Sequence, residues 1–376
     1  MPSKKSHTIA TLRSGNRLTL KDVAVKAGVS PITVSRVVNH YAGVRSEVRE
    51  KVEAAINELG YIPNRSASIL ASSRSKLIGV LIPSLSNVVF NDVLRGIYSI
   101  AVPANYQILL ADTHYSPMEE ERSIRTLLGQ SPDGLIITGG EQTDTAKTML
   151  KASTFPVVQI MDHVKDPIDM NIGFSHFQAG VAVAKSLLEK SYCKIGFIGA
   201  RMDPRTCNRL AGFKSVLSAV DRLDHKRIIT NPQPSSVAMG AMLFRELMAA
   251  TDGECDAVFC CNDDLALGAL HECKKMHISV PDKFGVCGFN DIEMAAYAEP
   301  SLSSVKVNRY EMGRQAMELI LERLQTSGNE SDTVSNTVSK KAIRTNNTAT
   351  PTQIIKSVTD TYIDTGFELI NRKSTR

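Results

Sequence analysis

The run GVSPITVSRVVN at residues 28–39 holds three side chains suited to an external partner: the hydroxyls of Thr33 and Ser35 and the guanidinium of Arg36. Hydroxyls bond phosphate oxygens, and an arginine forks onto a guanine edge or clamps a backbone oxygen. Other reactive types stand apart. Asp263-Asp264 is a candidate carboxylate pair, but neighbours at a strand end point in different directions. His176 is a candidate base, yet no GxSxG, P-loop or HExxH accompanies it. The seven cysteines form no CxxC pair and are odd in number, so they read as buried, reduced thiols. Cys260-Cys261 reads as core filling. No His or Cys pair has convincing metal-ligand spacing. Neither enzyme chemistry, a metal nor a cofactor is expected.

What must position Thr33, Ser35 and Arg36 is a set of short helices. Thr19-Leu-Lys-Asp22 opens the first, an N-cap with an acid three residues on. Leu20, Val23, Ala24 and Ala27 fall on one face, and Gly28 ends it. Ser30 caps a second helix with Pro31 at its first position, where a missing N–H costs nothing. Ser46 starts a third that runs to Leu59 and stops at Gly60, with Val48, Val52, Ala55, Ile56 and Leu59 packing inward. Helix, tight turn, helix is a helix-turn-helix, a pattern that many all-helical cores also contain. In DNA readers the second helix offers its N-terminal end to the major groove. That would turn Pro31 and Ile32 toward bases.

Charge favours the same reading. Residues 1–76 carry 13 Lys/Arg against 5 Asp/Glu, while the remaining 300 carry 31 against 34. Basicity concentrated in a fifth of the chain suits a segment that meets a polyanion. A disordered basic tail would account for residues 1–18 but not for the patterned stretch after them. Hydrophobic residues at 43% and charged residues at 22% are ordinary for a globular protein. No apolar run approaches the ~20 residues of a membrane helix. The N-terminal MPSKKSHTIATLRSGNR lacks a secretory apolar stretch, so a cytoplasmic, nucleoid-associated protein is expected.

The run LKDVAVKAGVSPITVSRVVN, the run VREKVEAAINELGYIPNR and the stretch GYIPNRSASILASSRSK together resemble the LacI/GalR family of bacterial repressors. The resemblance spans essentially the whole chain. It implies a hinge helix after Pro63-Asn64 that forms on DNA, with Leu70 wedged into the minor groove and Ala67 beside it. Wedging unstacks a base step at a cost of ~ a few kcal/mol and bends the duplex toward more contacts. A plain interdomain linker would suit the serine-rich composition but not the embedded Asn64, Arg65 and Leu70. The implied DNA-binding set is Thr19, Ser30, Pro31, Ile32, Thr33, Ser35, Arg36 and Asn39, with Asn64, Arg65, Ala67 and Leu70 from the hinge. Family members often have polar residues where this chain has Pro31 and Ile32. Pro31 donates nothing and Ile32 can meet only a thymine methyl, so readout shifts toward Arg36, the hinge and DNA shape.

From residue 77 apolar runs alternate with amphipathic segments. LIGVLIP, YQILLAD, DGLIITG, PVVQIMD, KIGFIGA, AVFCCND and FGVCGFND read as buried parallel strands, with FNDVLRGIYSIAV and FQAGVAVAKSLLEK as helices between them. Such strands with two sets of turns suggest two similar α/β lobes, and the family resemblance implies the same. The expected fold is therefore an all-α helix-turn-helix head plus hinge helix, joined to an α/β two-lobed periplasmic-binding-protein-like core. Its parts are a tail at 1–18, a DNA-binding domain at 19–63, a hinge at 64–76 and an effector-binding, dimerising core at 77–376. Residues 327–352 hold 14 Ser, Thr or Asn among 26 and read as a flexible insertion. YIDTGFELINRKST then reads as one returning strand. The chain stops at Arg376 without C-terminal leucine heptads, so a homodimer on pseudo-palindromic double-stranded operator DNA is expected.

Open α/β sheets bind ligands beyond the carboxyl ends of their strands. That places Ser84, Asn87, Phe90, Asp162, Phe174, Asn262 and Asn290 at the cleft, with Arg205 and Arg209 on the helix after KIGFIGA. Asp162 and Asn262 could equally cap the following turns, and Arg201 and Arg205 could be surface charges. The family resemblance implies effector contacts at Arg209, Asn262 and Asn290, and with them Asp162 and Phe174. Asn290 stands where many relatives have an aspartate, which removes a charge that would repel an acidic ligand. GVLIPSLSNVVFNDVLRGI, HYSPMEEERSIRTLL and GARMDPRT resemble the gluconate- and idonate-responsive branch, implying a sugar-acid effector whose carboxylate an arginine holds bidentately.

Overall fold

In the computed structural model, residues 18–38, 41–62, 74–329, 353–356 and 361–376 are described. The chain divides into two compact units, Met1–Ser75 and Lys76–Arg376. The small unit has three helices, α1 (Leu20–Ala27), α2 (Pro31–Val38) and α3 (Ser46–Leu59). At the start of α1 the Asp22 carboxylate accepts from both the amide and the hydroxyl of Thr19, each at 2.7 Å. Gly28 and Gly60 end α1 and α3 in the left-handed conformation, φ 67° and 63°. Val23, Ala24, Val34, Val37, Val52 and Ala55 close a core among the three helices, and Tyr61 seals it. The expected helix boundaries hold. Residues 1–17 of the tail, 64–73 of the hinge and 330–352 of the insertion lie outside the described residues.

The large unit has two lobes. The first is built on a seven-stranded sheet: β1 (Leu77–Ile82), β2 (Gln107–Asp112), β3 (Gly134–Thr138), β4 (Val157–Ile160), β5 (Met170–Gly173), β11 (Gln353–Lys356) and β12 (Thr361–Asp364). Its order is β11-β12-β5-β4-β3-β1-β2, parallel except for β11. The second is built on β6 (Ile195–Ala200), β7 (Ile228–Asn231), β8 (Ala257–Cys260), β9 (Gly285–Asn290), β10 (Ser303–Lys306) and β13 (Glu368–Ile370). Here the order is β13-β10-β9-β8-β6-β7, with only β13 antiparallel.

Helices cover both sheets. In the first lobe α4 (Val89–Ala101) packs on α12 (Arg309–Asn329), with α5 (Pro117–Leu128) and α6 (Asp144–Lys151) opposite. In the second, α7 (His176–Glu189) packs on α8 (Pro204–Ala219), and α9 (Val237–Ala250) on α10 (Asp263–Lys275). The short α11 (Glu293–Tyr297) precedes β10. Gly180 is one of two close contacts between α7 and α8, the other being Gly212: a Cβ at Gly180 would collide with the carbonyl of Arg209.

The chain crosses between lobes after β5, after β10 and after β12. The third crossing corrects the sequence reading. YIDTGFELIN is two strands in two sheets, β12 pairing with β5 and β13 with β10, turned at Gly366 (φ 62°). Its Ser374 and Thr375 are buried because they bond to Ser303 and to the carbonyl of Val286. The cysteine reading also needs correction: five are buried, but Cys193 and Cys207 are exposed. No helix among the described residues is long and apolar enough to cross a membrane.

Candidate functional site: a cationic cleft and a helix-turn-helix head

On the head, α2 buries Val34 and Val37 and leaves Pro31, Ile32 and Arg36 exposed, Ile32 at 68%. Ser30 caps the helix through the Thr33 amide, 3.2 Å, and its hydroxyl lies 2.9 Å from the Thr33 hydroxyl. Ser35 is half-buried. Arg36 is held with its guanidinium carbon 5.6 Å from the ring centre of Tyr41, an exposed aromatic that the sequence reading passed over. Thr19 is exposed and tied to Asp22. Asn39, Asn64, Arg65, Ala67 and Leu70 lie outside the described residues.

Between the lobes of the large unit lies a cleft enclosing about 510 Å³, its open mouth included. Its second-lobe wall is cationic. Arg201 follows β6, and Arg205 and Arg209 sit one turn apart on α8; all three line the cleft. Asp203 caps α8 by accepting from the Thr206 amide at 2.8 Å, and Arg205 Nη2 reaches it at 3.3 Å. Burial acts to raise the Asp203 pKa, but Arg205, Arg209 and the Thr206 bonds outweigh it and hold the carboxyl at about 2. Arg209 is only 8% exposed. Its Nε donates to His176 Nδ1 at 3.1 Å, its Nη1 donates to the carbonyl of Cys261, and its guanidinium carbon lies 3.7 Å from the Phe289 ring centre.

Amides face these cations. Asn262 caps α10 by accepting from the Leu265 amide through Oδ1, 3.1 Å, which leaves its NH₂ group for the cleft. Asn290 ends β9 at φ 107°, a strained backbone for a residue with a side chain, and its carbonyl accepts from Arg309. Asn87 is used internally: Oδ1 accepts from Val89 and Nδ2 donates to the Tyr115 hydroxyl at 2.9 Å. The Tyr115 hydroxyl, so occupied as an acceptor, keeps its proton to offer a ligand oxygen.

Residues 19–64 match the lacI family of bacterial regulatory proteins, and residues 184–344 match the periplasmic binding protein-like domain. Over 364 residues the chain is 38% identical to the HTH-type transcriptional regulator GntR of Pseudomonas aeruginosa, covering 96% of this chain and 97% of that one. The chain belongs to the lacI family of bacterial regulatory proteins. It is also 35% identical to the HTH-type transcriptional regulator IdnR of Escherichia coli, over 85% of this chain and 96% of the relative. A LacI-family transcriptional regulator from Silicibacter pomeroyi has a similar crystal structure, with TM-score 0.82 and 32% identity over 96% of this chain and all of that one.

Against this LacI-family frame the sequence-derived residues divide. Asn87, Phe90, Arg205, Arg209, Asn262 and Asn290 line the cleft together. Ser84, Asp162 and Phe174 are not among its lining residues. The Ser84 hydroxyl is 2.9 Å from that of Ser86, and Phe174 is core, 4.3 Å from the His176 ring. Asp162 is buried behind the cleft, where burial pushes its carboxyl up to about 6 against the pull of Arg205. The lining also holds Tyr115, Asp203 and Thr206, which the sequence reading misses, and Arg201, which with Arg205 could have been a surface charge. Tyr115 follows β2 as Arg201 follows β6, so the rule of strand carboxyl ends already pointed to both.

Proposed function

We propose that this LacI-family regulator is a homodimeric repressor whose operator affinity falls when a small sugar acid of the gluconate type occupies the cleft. The supporting observation is the charge of the second-lobe wall: three guanidiniums line it, and the Asp203 carboxylate offsets one. A lone carboxylate meets donors there, and the amide of Asn262 and hydroxyl of Tyr115 suit sugar hydroxyls. Asp162, in the field of Arg205, and Phe174, packed on His176, act from behind this set.

The cleft is read as a sensor rather than a catalytic site because its acid–base groups are already engaged. Asp203 accepts from the Thr206 amide and from Arg205, and His176 is held between Met161 and Arg209. Asp263, outside the cleft lining, accepts from Ser304 Oγ at 2.6 Å and from the Ile292 amide at 2.8 Å. Exposed Tyr98 and Val102, at the end of α4, and Leu110 of edge strand β2 offer apolar surface to a second copy. Two copies would present two heads, with Arg36 and the exposed start of α2 in the major groove and a hinge at 64–76 carrying Leu70 into the minor groove. Operator binding in turn places the protein in the cytoplasm at the nucleoid.

Calorimetric titration of the full chain with gluconate and, separately, with neutral glucose tests the ligand reading. Gluconate is expected to bind at least tenfold more tightly. Equal affinity for the two, or no gluconate binding, would overturn the assignment of the cleft to a sugar acid.

A further inference from the structure

His176 is the first residue of α7, a polar side chain only 2% exposed and packed against Phe174 and Phe289. Its two ring nitrogens make one bond to each lobe. Nε2 lies 2.9 Å from the carbonyl of Met161, at the end of β4 in the first lobe. Nδ1 lies 3.1 Å from Nε of Arg209, on α8 in the second. A carbonyl accepts only and an arginine donates only, so a single tautomer satisfies both: hydrogen on Nε2, lone pair on Nδ1. The charged form cannot accept from Arg209 at all. Burial first, then the fields of Arg209 and Arg205, hold the imidazole neutral, against the opposing pull of the Met161 hydrogen bond and of Asp203.

Arg209 is a buried cation on a residue with several rotatable bonds, and such a group binds well only when its fork is fixed. Nη1 is taken by Cys261 and the guanidinium carbon sits over the Phe289 ring, two contacts that leave the tilt of the fork to be set. The bond from Nε to His176 sets that remaining freedom and leaves Nη2 as the edge these contacts do not use.

We propose that His176 is a positioning residue for effector recognition: as a neutral hydrogen-bond acceptor it fixes the guanidinium of Arg209 for the ligand while its other nitrogen anchors it to the first lobe. This rests on the cleft being the effector site.

Two isosteres separate the nitrogens. In His176→Asn the amide oxygen falls near the place of Nδ1 and can accept from Arg209. In His176→Gln the amide nitrogen falls near the place of Nε2 and can donate to Met161, and His176→Leu does neither. Gluconate affinity by calorimetry, with melting temperature as the control for folding, is expected to fall more than tenfold in the leucine and glutamine variants. The asparagine variant should recover to within about threefold of wild type. Recovery by glutamine but not asparagine, or equal affinity in all three, would overturn the proposal. Nitrogen-15 spectra of the wild-type histidines keep it separate from the ligand reading. An Nε2–H tautomer at His176 that persists from pH 8 to 5 in a protein that binds no sugar acid would retain the positioning role and remove the sugar acid. A titrating or Nδ1–H imidazole would remove the positioning role itself.

Discussion

Arg201 of the second lobe lies over the ring of Tyr115 of the first, its guanidinium carbon 3.8 Å from the ring centre. Both sit on loops with left-handed backbone, φ 64° and 56°, flanked by Met202 at 52° and His114 at 50°. Such strain persists where surroundings over-determine it. Here the Arg201 amide donates to the Gln233 carbonyl at 2.9 Å and the Tyr115 amide to that of Pro83 at 3.2 Å. Two stiff turns therefore meet across the cleft. A partly desolvated cation–π contact is worth about 1–2 kcal/mol. Arg201→Ala and Tyr115→Ala should each weaken gluconate binding roughly 5–30-fold, measured by calorimetry, with little change in melting temperature. Wild-type affinity in both would show that the contact plays no part in closure.

Asp162 gives the binding a pH dependence. Burial first, opposed by Arg205, places its carboxyl at about 6, so it is charged at pH 8 and largely neutral at pH 5. When charged, it competes with the ligand carboxylate for the field of Arg205. Gluconate affinity should therefore rise as pH falls from 8 to 5, by about 3–10-fold for one such like charge. Asp162→Asn should flatten the curve at its acidic level. An affinity that falls over the same range would contradict this.

Glu120, on α5, affects stability. It is buried beside Gln142, whose Nε2 donates to it at 3.1 Å, and burial pushes its carboxyl from 4.5 up to about 7. The native state then holds the proton more tightly than the unfolded chain. Stability from this group declines as pH rises from 4.5 through 7, and the full cost stands above 7. Glu120→Gln should stabilise the core at pH 8 by on the order of 1–3 kcal/mol and by little at pH 5. Denaturant unfolding at the two pH values decides it; an equal effect at both would refute the assignment.

Gly180 tests how the arginine helix is seated. A methyl group there meets the Arg209 carbonyl, so α7 and α8 must move apart. Gly180→Ala should cost about 1–3 kcal/mol and weaken gluconate binding as well, because the displaced helix carries Arg205 and Arg209. Unchanged unfolding and binding curves would contradict the packing.

What the sequence revealed was what chemistry holds locally. Thr19 with Asp22, Gly28 and Gly60 set helix ends within a few residues, and the seven apolar runs announced their strands. Asn262 and Asn290 were found because the ends of parallel strands face a cleft. β5, β7, β10 and β11 were missed because MNIG, IITN, SSVK and QIIK are four-residue runs broken by polar residues; Ser303 and Ser304 are buried only through bonds to Ser374, Thr375 and Asp263. The break at Gly366 was hidden because two strands in different sheets share one alternation. Tyr115 and Arg201 meet only across the lobes, and no local pattern encodes that contact.

The most direct measurement is the affinity of the full chain for a labelled fragment from upstream of its own gene, taken at rising gluconate concentration against non-specific competitor DNA. The account predicts tight binding to that fragment which weakens as gluconate fills the cleft, with the same midpoint as the direct calorimetric titration. Operator binding that gluconate leaves unchanged at concentrations that saturate the cleft would contradict it.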